Sequence, residues 1–466
     1  MQYPSPVSAR ADRATILVFI FGLVVSASMV ARSQVAGDQL NLLALGWLFS
    51  EQGVWIPYGN PTSGAGVTPG GASAIVVGLP LMLWNHHRAP ALLIWLSHLV
   101  AYGLLDRWLK RILTAEERFL FALLYWLNPW RLYHSAFLWN PNYLFFFGAA
   151  HLSTAFGMRS RPRFWMTFWH ILSLGIALQL EVVALPLAVT SLFLCWRRYI
   201  RVNWAGAASA AILIALSLIP WALAAAADPT LMAREKGFLG YGLLMIYPVY
   251  RGVLYWIRYS TLALSAELFC LDYAYIVGRI WMDRIAPWLS MVKVAVYIST
   301  LPLSIWAFFK FWRGSGRWWA VGFEGRSDRD WLIGVVRWSF LAGVLVFCIA
   351  PSTIMRWHVL ALFHVAILPP VFVFGRLLRE SESRWVQPAL RLYVTVTVAM
   401  VVLVAIGAPM IRCGGDRCGR HSVTMPVLAA DHPMLDDLGI RDTCTIAEPE
   451  PGGYWPSPFR QTGARE

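Results

Sequence analysis

Residues 10–49 read RADRATILVFIFGLVVSASMVARSQVAGDQLNLLALGWLF, and this stretch decides the fold. Arg10 and Arg13 stand just before an unbroken apolar run from Ile16 to about Ala31. Lipid offers the backbone no hydrogen-bond partners, so a spanning chain must close its own bonds as helix or barrel. The run is continuous rather than alternating, which reads as a helix. No cleavage site follows Thr15–Val30, so the run is read as a retained first helix and not a removed signal. Basic flanks stay cytoplasmic. The N-terminus is therefore predicted inside, and Asp38 emerges on the far side of the membrane. From Asp38 to Phe49, Leu40, Leu43, Ala44 and Trp47 recur at helical spacing, which predicts an amphipathic helix lying at the membrane surface.

The same pattern recurs along the chain. Of 466 residues, 58% are hydrophobic and only 14% charged, where a soluble domain carries about 25%. Mean hydropathy is +0.55. The bilayer must be the solvent for most of this surface. The net charge of +14 raises nucleic-acid binding as an alternative. The basic residues, however, lie in short clusters between apolar runs, as the positive-inside bias requires, and no nucleic-acid partner is expected. Spans are predicted at about 16–31, 91–106, 118–130, 142–157, 164–180, 182–196, 204–224, 287–309, 332–350, 358–375 and 389–408, eleven by the sequence. They alternate so that Arg107, Lys110 and Arg111, then Arg159, Arg161 and Arg163, then Arg197, Arg198 and Arg201 all face inward, as do Lys310 to Arg329 and Arg376 to Arg384. Residues 72–84 are too short to span comfortably and read as interfacial or re-entrant. The expected architecture is an all-α integral membrane protein. Residues 1–408 form its transmembrane domain, and 409–466 an external tail. Cys413, Cys418 and Cys444 in that tail would meet an environment where disulfides form, although three thiols cannot all pair within one chain.

Chemistry-bearing residues cluster on the predicted outer side. Asp38 is suited either to capping a helix or to acting as a general base for an acceptor hydroxyl. The Gly/Pro-rich loop Pro57–Gly64, with Tyr58, and the step Thr68-Pro69-Gly70-Gly71 form either a connector or a binding element, and the loop's length favours binding. Asn128–His134 and Leu138–Asn142 bring Arg131, His134, Asn140 and Asn142 as donors and acceptors for hydroxyls or phosphate, while Trp130 and Trp139 suit interface anchors. Glu181, with Gln179 beside it, ends an apolar run. An ionisable group there is costly unless partnered, so it is a functional candidate as well as a candidate ion pair. Arg356 precedes a span, with His358 next to it, and a guanidinium there can clamp a phosphate. Arg234, Lys236, Arg251 and Arg258 add weaker candidates. No P-loop, dinucleotide fingerprint or zinc-spaced cysteine pair is present, and no inverted repeat is evident.

In this order the features resemble the GT-C superfamily of membrane glycosyltransferases, in particular the bacterial branch related to protein O-mannosyltransferases and the aminoarabinose transferase of lipid A. One acidic residue follows the first span. An external loop ending in Pro-Gly leads to a short helix, Leu138-Trp139-Asn140-Pro141 comes after the third span, and Gln179-x-Glu181 follows. The motifs cover residues 14–200, and topology alone covers 200–408. The resemblance implies a bacterial inner-membrane enzyme with a periplasmic site and a periplasmic C-terminus. Its donor would be a polyprenyl-phosphate-linked sugar and its acceptor a hydroxyl on protein, lipid or glycan. Asp38 matches the family's base and Arg356 its phosphate-holding residue. Two positions depart from the pattern: Asn140 stands where a second carboxylate is often found, and Glu181 where relatives often carry histidine. Asp38 and Glu181 can also share a divalent ion, though no spacing requires one. Two other classes stay open: a carrier or flippase of a lipid-linked precursor, and a non-catalytic partner in an envelope assembly.

Overall fold

The computed structural model describes residues 6–33, 35, 38–62, 66–232, 246–260, 279–314, 327–350, 354–381, 384–407 and 433–439. Among them the chain is mainly helical, with one two-stranded antiparallel hairpin. The helices are α1 (Pro6–Val30), α2 (Asp38–Gln52), α3 (Ala72–Leu83), α4 (Arg88–Leu109), α5 (Ala115–Phe121), α6 (Pro129–His134), α7 (Leu144–Met158), α8 (Phe164–Leu180), α9 (Leu185–Trp196) and α10 (Trp204–Ala227). Beyond them lie α11 (Ile246–Tyr259), α12 (Arg279–Arg313) and α13 (Asp328–Cys348), then α14 (Leu368–Glu380), α15 (Val386–Gly407) and the short α16 (Pro433–Asp437). The hairpin pairs β1 (Tyr58–Pro61) with β2 (Val67–Pro69).

Seven helical stretches among the described residues are long and apolar enough to cross a bilayer, the last but one being Arg356–Glu380. The chain is a multi-pass membrane protein. Its outward faces are apolar, as lipid requires: Ile212, Leu216 and Leu223 of α10 are all exposed. The expected eleven spans are not established by these helices. Residues 118–130 do not form one span, because α5 runs into a π-helical turn at Ala122–Trp126 and stops. Pro129 has no N–H to continue the ladder, and the Asn128 side chain instead accepts from Trp130 N at 2.9 Å to begin α6. Residues 164–180 and 182–196 are shorter apolar helices.

The predicted alternation of ends has a direct structural counterpart. Arg118 bonds Asp12 and Asp106, each at 3.0 Å. Arg159 bonds Asp328 at 2.8 Å. Glu117, fully buried, takes Arg329 at 2.7 Å and Arg379 at 3.1 Å. These residues flank five predicted inner stretches and meet in ion pairs at one end of the bundle. Arg32 and the last turn of α15, both predicted outer, meet at the other, where Arg32 donates to the carbonyls of Ala405 and Ile406.

One further expectation changes, and one agrees. α2 is not a surface helix with one polar face, because its residues from Gln39 to Leu48 are buried apart from Asn41. It packs lengthwise on α3, and Gly46 permits the approach: a Cβ there would strike Val77. α3 has 12 residues, about 18 Å of helix, too short for a hydrocarbon core of about 30 Å. It buries Ser73, Ala74, Val77, Gly78 and Leu81 and exposes Leu79, Met82 and Leu83, as an interfacial or re-entrant helix does. Cys413, Cys418 and Cys444 lie outside the described residues, as does most of the tail. Its described piece, Pro433–Gly439, seats Met434 and Leu438 in the core and accepts the His87 N–H on the Leu438 carbonyl at 3.2 Å.

Candidate active site

Asp38 opens α2, and the α2–α3 packing fixes its position. The hairpin grips it from one side: Asn60 Nδ2 donates to the Asp38 carbonyl at 3.3 Å, and Thr68 Oγ1 donates to the Asn60 carbonyl at 2.9 Å. Trp139 grips it from the other, its indole N–H donating to the carboxylate at 3.3 Å. Burial pushes the Asp38 carboxyl above its ordinary value, and the Trp139 bond opposes this.

Glu181 occupies the break between α8 and the short 3-10 turn Val182–Ala184 that leads into α9. Burial raises its carboxyl to about 7, the backbone N–H groups of Val183 and Val182 pull it down, and the Asp38 charge pushes it up. The Asp38 charge, from a stretch more than a hundred residues away in sequence, therefore acts on Glu181 through space. Neither carboxyl has an ion-pair partner among the described residues.

Trp139 is the hub of the surrounding groups. The His134 ring stacks on it at 6.0 Å, and the Trp357 ring meets its edge at 5.3 Å. Arg356 lies 5.3 Å over the Trp357 ring. The Asn142 side chain donates to the Phe137 carbonyl at 2.8 Å, so its Oδ1 must accept from His134 Nδ1, also at 2.8 Å. That leaves the lone pair on His134 Nε2, which is buried and has no hydrogen-bond partner among the described residues. Burial lowers the His134 imidazole to about 3, and the Arg356 charge adds to this, so the ring is neutral. Asn140 donates to Ser73 Oγ at 3.0 Å and keeps its Oδ1 buried and unbonded. It offers one fixed acceptor oxygen where a carboxylate would offer two.

Asp38 and His134 thus meet Trp139 directly, Asn140 follows it in the chain, Arg356 reaches it through Trp357, and Glu181 is linked to the group by the Asp38 charge. The structure places the other expected residues elsewhere. Arg131 is fully buried, with Nε on the Trp126 carbonyl at 3.0 Å and its guanidinium 3.8 Å over the Trp126 ring; a core site next to the helix break holds it. Gln179 donates to Ser217 Oγ at 2.8 Å, and its amide oxygen presses on Gly70, where any Cβ would collide and where φ is +89°. It therefore braces the loop from outside the carboxylate pair. Tyr58, in β1, lies near Asp228, which adds to burial in raising its hydroxyl. His358 Nδ1 accepts the Met355 N–H at 2.7 Å and fixes the loop that carries Arg356. Among the described residues no group of three or more His, Cys, Asp or Glu side chains is placed to hold a metal. Two carboxylates with the Asn140 oxygen are the donors a hard divalent ion takes. Sequence reasoning read Trp139 only as an interface anchor and gave Asn60 no role. Their position beside a motif was the one available signal.

No family model matches the chain, and no curated protein matches it. Among solved structures, ArnT from Cupriavidus metallidurans bound to undecaprenyl phosphate is similar over 91% of this chain and 84% of that one, at 14% identity and a TM-score of 0.49. ArnT from the same organism in the apo state is similar over 84% and 76%, at 16% identity and a TM-score of 0.40.

Proposed function

We propose that this chain transfers a sugar from a polyprenyl-phosphate carrier to an acceptor hydroxyl, at the end of the bundle opposite the ion pairs of Glu117 and Arg118. The observation that carries the reading is the placement of Asp38. It is held by Trp139, its charge raises the Glu181 carboxyl, and Trp139 also carries Trp357, over which Arg356 lies. In the transfer, Asp38 takes the acceptor's hydroxyl proton. The acceptor oxygen bonds the anomeric carbon, and the carbon–oxygen bond to phosphate breaks. The lipid phosphate leaves with the electron pair, its charge stabilised by Arg356. Such a direct displacement inverts the anomeric centre. His134 Nε2 and Asn140 Oδ1 accept hydrogen bonds from sugar hydroxyls and orient the ring. The basic clusters at the opposite end support a cytoplasmic assignment for that end, which leaves the site on the periplasmic face of a bacterial inner membrane. A divalent ion at Asp38 and Glu181 would stabilise phosphate charge. The two carboxylates are hard oxygen donors of the kind such an ion takes, and no step above depends on it.

The test is the pool of lipid-linked sugars in cells lacking the protein, complemented by wild type or by Asp38→Asn. The expected result is a donor that accumulates in the deletion strain and with Asp38→Asn, and is consumed with wild type. Full complementation by Asp38→Asn would remove Asp38 as the base.

A further inference from the structure

The Asn128-Pro129-Trp130 motif and α11 have no part in the mechanism above, yet they meet at the segment that carries Arg356. Asn128 is fully buried and fully bonded. Its Oδ1 caps α6, and its Nδ2 donates to the Leu124 carbonyl at 2.8 Å and to the Tyr259 carbonyl at 2.7 Å. Tyr259, the last residue of α11, is thus pinned by its backbone to the break after α5. Its ring is fixed edge-on against Trp130 at 5.6 Å and Phe363 at 5.1 Å. Its hydroxyl donates to the Arg356 carbonyl. Two turns earlier on the same helix, Arg251 Nε donates to the Ile354 carbonyl at 3.3 Å, while its Nη2 reaches both the Tyr255 hydroxyl at 3.0 Å and the Met355 sulfur at 3.6 Å. From the inner side His358 takes the Met355 N–H. Carbonyls on both sides of Met355, and its own N–H, are therefore held by side chains.

We infer that Tyr259 is a positioning residue that sets the Arg356 backbone, and through it the guanidinium, for the leaving lipid phosphate, with Arg251 as the second point of the clamp. This inference rests on the phosphate role proposed for Arg356. A side chain as long as arginine addresses one point in space only when its Cα is fixed, because rotamer freedom otherwise spreads the charge. The packing of Gly252 on Phe347 and the burial of Tyr255, Trp256 and Tyr259 along one face of α11 supply the rigid mount.

The experiment uses the full chain in lipid nanodiscs, with undecaprenyl phosphate as the probe. Tyr259→Phe keeps the ring contacts and the Asn128 bond and removes only the hydroxyl. The expected loss of affinity is roughly three- to tenfold, the effect of one hydrogen bond, and kcat falls as well, because Arg356 acts on the charge of the leaving phosphate. Arg356→Ala is expected to lose more, and the double variant to bind no more weakly than Arg356→Ala alone. Wild-type affinity in Tyr259→Phe, or additive losses in the double variant, overturns the positioning role. A wild-type chain that binds no probe, or an Arg356→Ala chain that binds it normally, refutes the phosphate site itself. Amide exchange in the nanodisc protein without the probe then decides the clamp: faster exchange confined to residues 354–360 in Tyr259→Phe is expected, and unchanged exchange overturns it.

Discussion

Burial raises both the Asp38 and the Glu181 carboxyl, and the Asp38 charge adds to the rise at Glu181. The proposed transfer needs Asp38 charged. Its raised pKa means that the rate falls on acidification earlier than an ordinary aspartate would allow. Glu181, at about 7, exchanges its proton close to neutral pH. The sign for stability is also fixed. A carboxyl raised by burial contributes stability below its unfolded value of 4.5, and that contribution is lost as pH rises through about 7. Because Asp38 raises Glu181, the Asp38→Asn variant is expected to titrate Glu181 at lower pH than the wild type. The carboxylic-acid C=O band in pH-difference infrared spectra reads this directly. A band that titrates identically in both proteins would show that the two groups do not share a space.

At the scale of elements, the site depends on helices that are themselves too short to span. α2 and α3 carry Asp38 and Ser73, the α8–α9 break carries Glu181, and a 3-10 stretch carries Arg356. Non-helical backbone and polar side chains at such breaks are tolerated where protein surrounds them. The contact of Gly46 with Val77 holds α2 to α3. Gly46→Leu is expected to force the helices apart, at about 1–3 kcal/mol of stability, and to lower transfer by displacing Asp38. Thermal unfolding in nanodiscs and a transfer assay at a temperature where the variant stays folded separate the two effects. Wild-type activity with reduced stability would mean that the Asp38 position does not depend on this packing.

For the molecule as a whole, the proposed mechanism requires the carboxylate end to face away from the cytoplasm. Gln52 and Asp330, both exposed, mark the two ends. A cysteine placed at residue 52 of a cysteine-free chain is expected to react with an impermeant maleimide in intact spheroplasts, and one at residue 330 only after lysis. The opposite pattern would place the acids in the cytoplasm and end the glycosyl-transfer reading. The same geometry bears on the carrier alternative. Between the two ends, His151 and His170 both bond Ser191, at 2.8 and 2.9 Å, and Thr154 bonds His170 at 2.7 Å. These four side chains are therefore tied to one another.

Apolar run length and the placement of arginines determined, from sequence alone, that this is a helical membrane protein, and which loops share an end. Hydrophobic transfer and charge bias are local, additive properties of the chain. The ion pairs of Asp12, Asp106, Glu117 and Asp328 follow that order. Asp38, Asn140, Glu181 and Arg356 were legible as candidates because ionisable or amide groups at span ends are costly. Their meeting was not legible, nor was the removal of Arg131, Gln179 and Tyr58 to other tasks. Which loop touches which depends on how helices pack across a hundred or more residues. Tertiary structure alone made Trp139 a hub, turned Asn128 and Tyr259 into a mount, and buried α2, because packing complementarity is a property of surfaces that exist only once the helices have met.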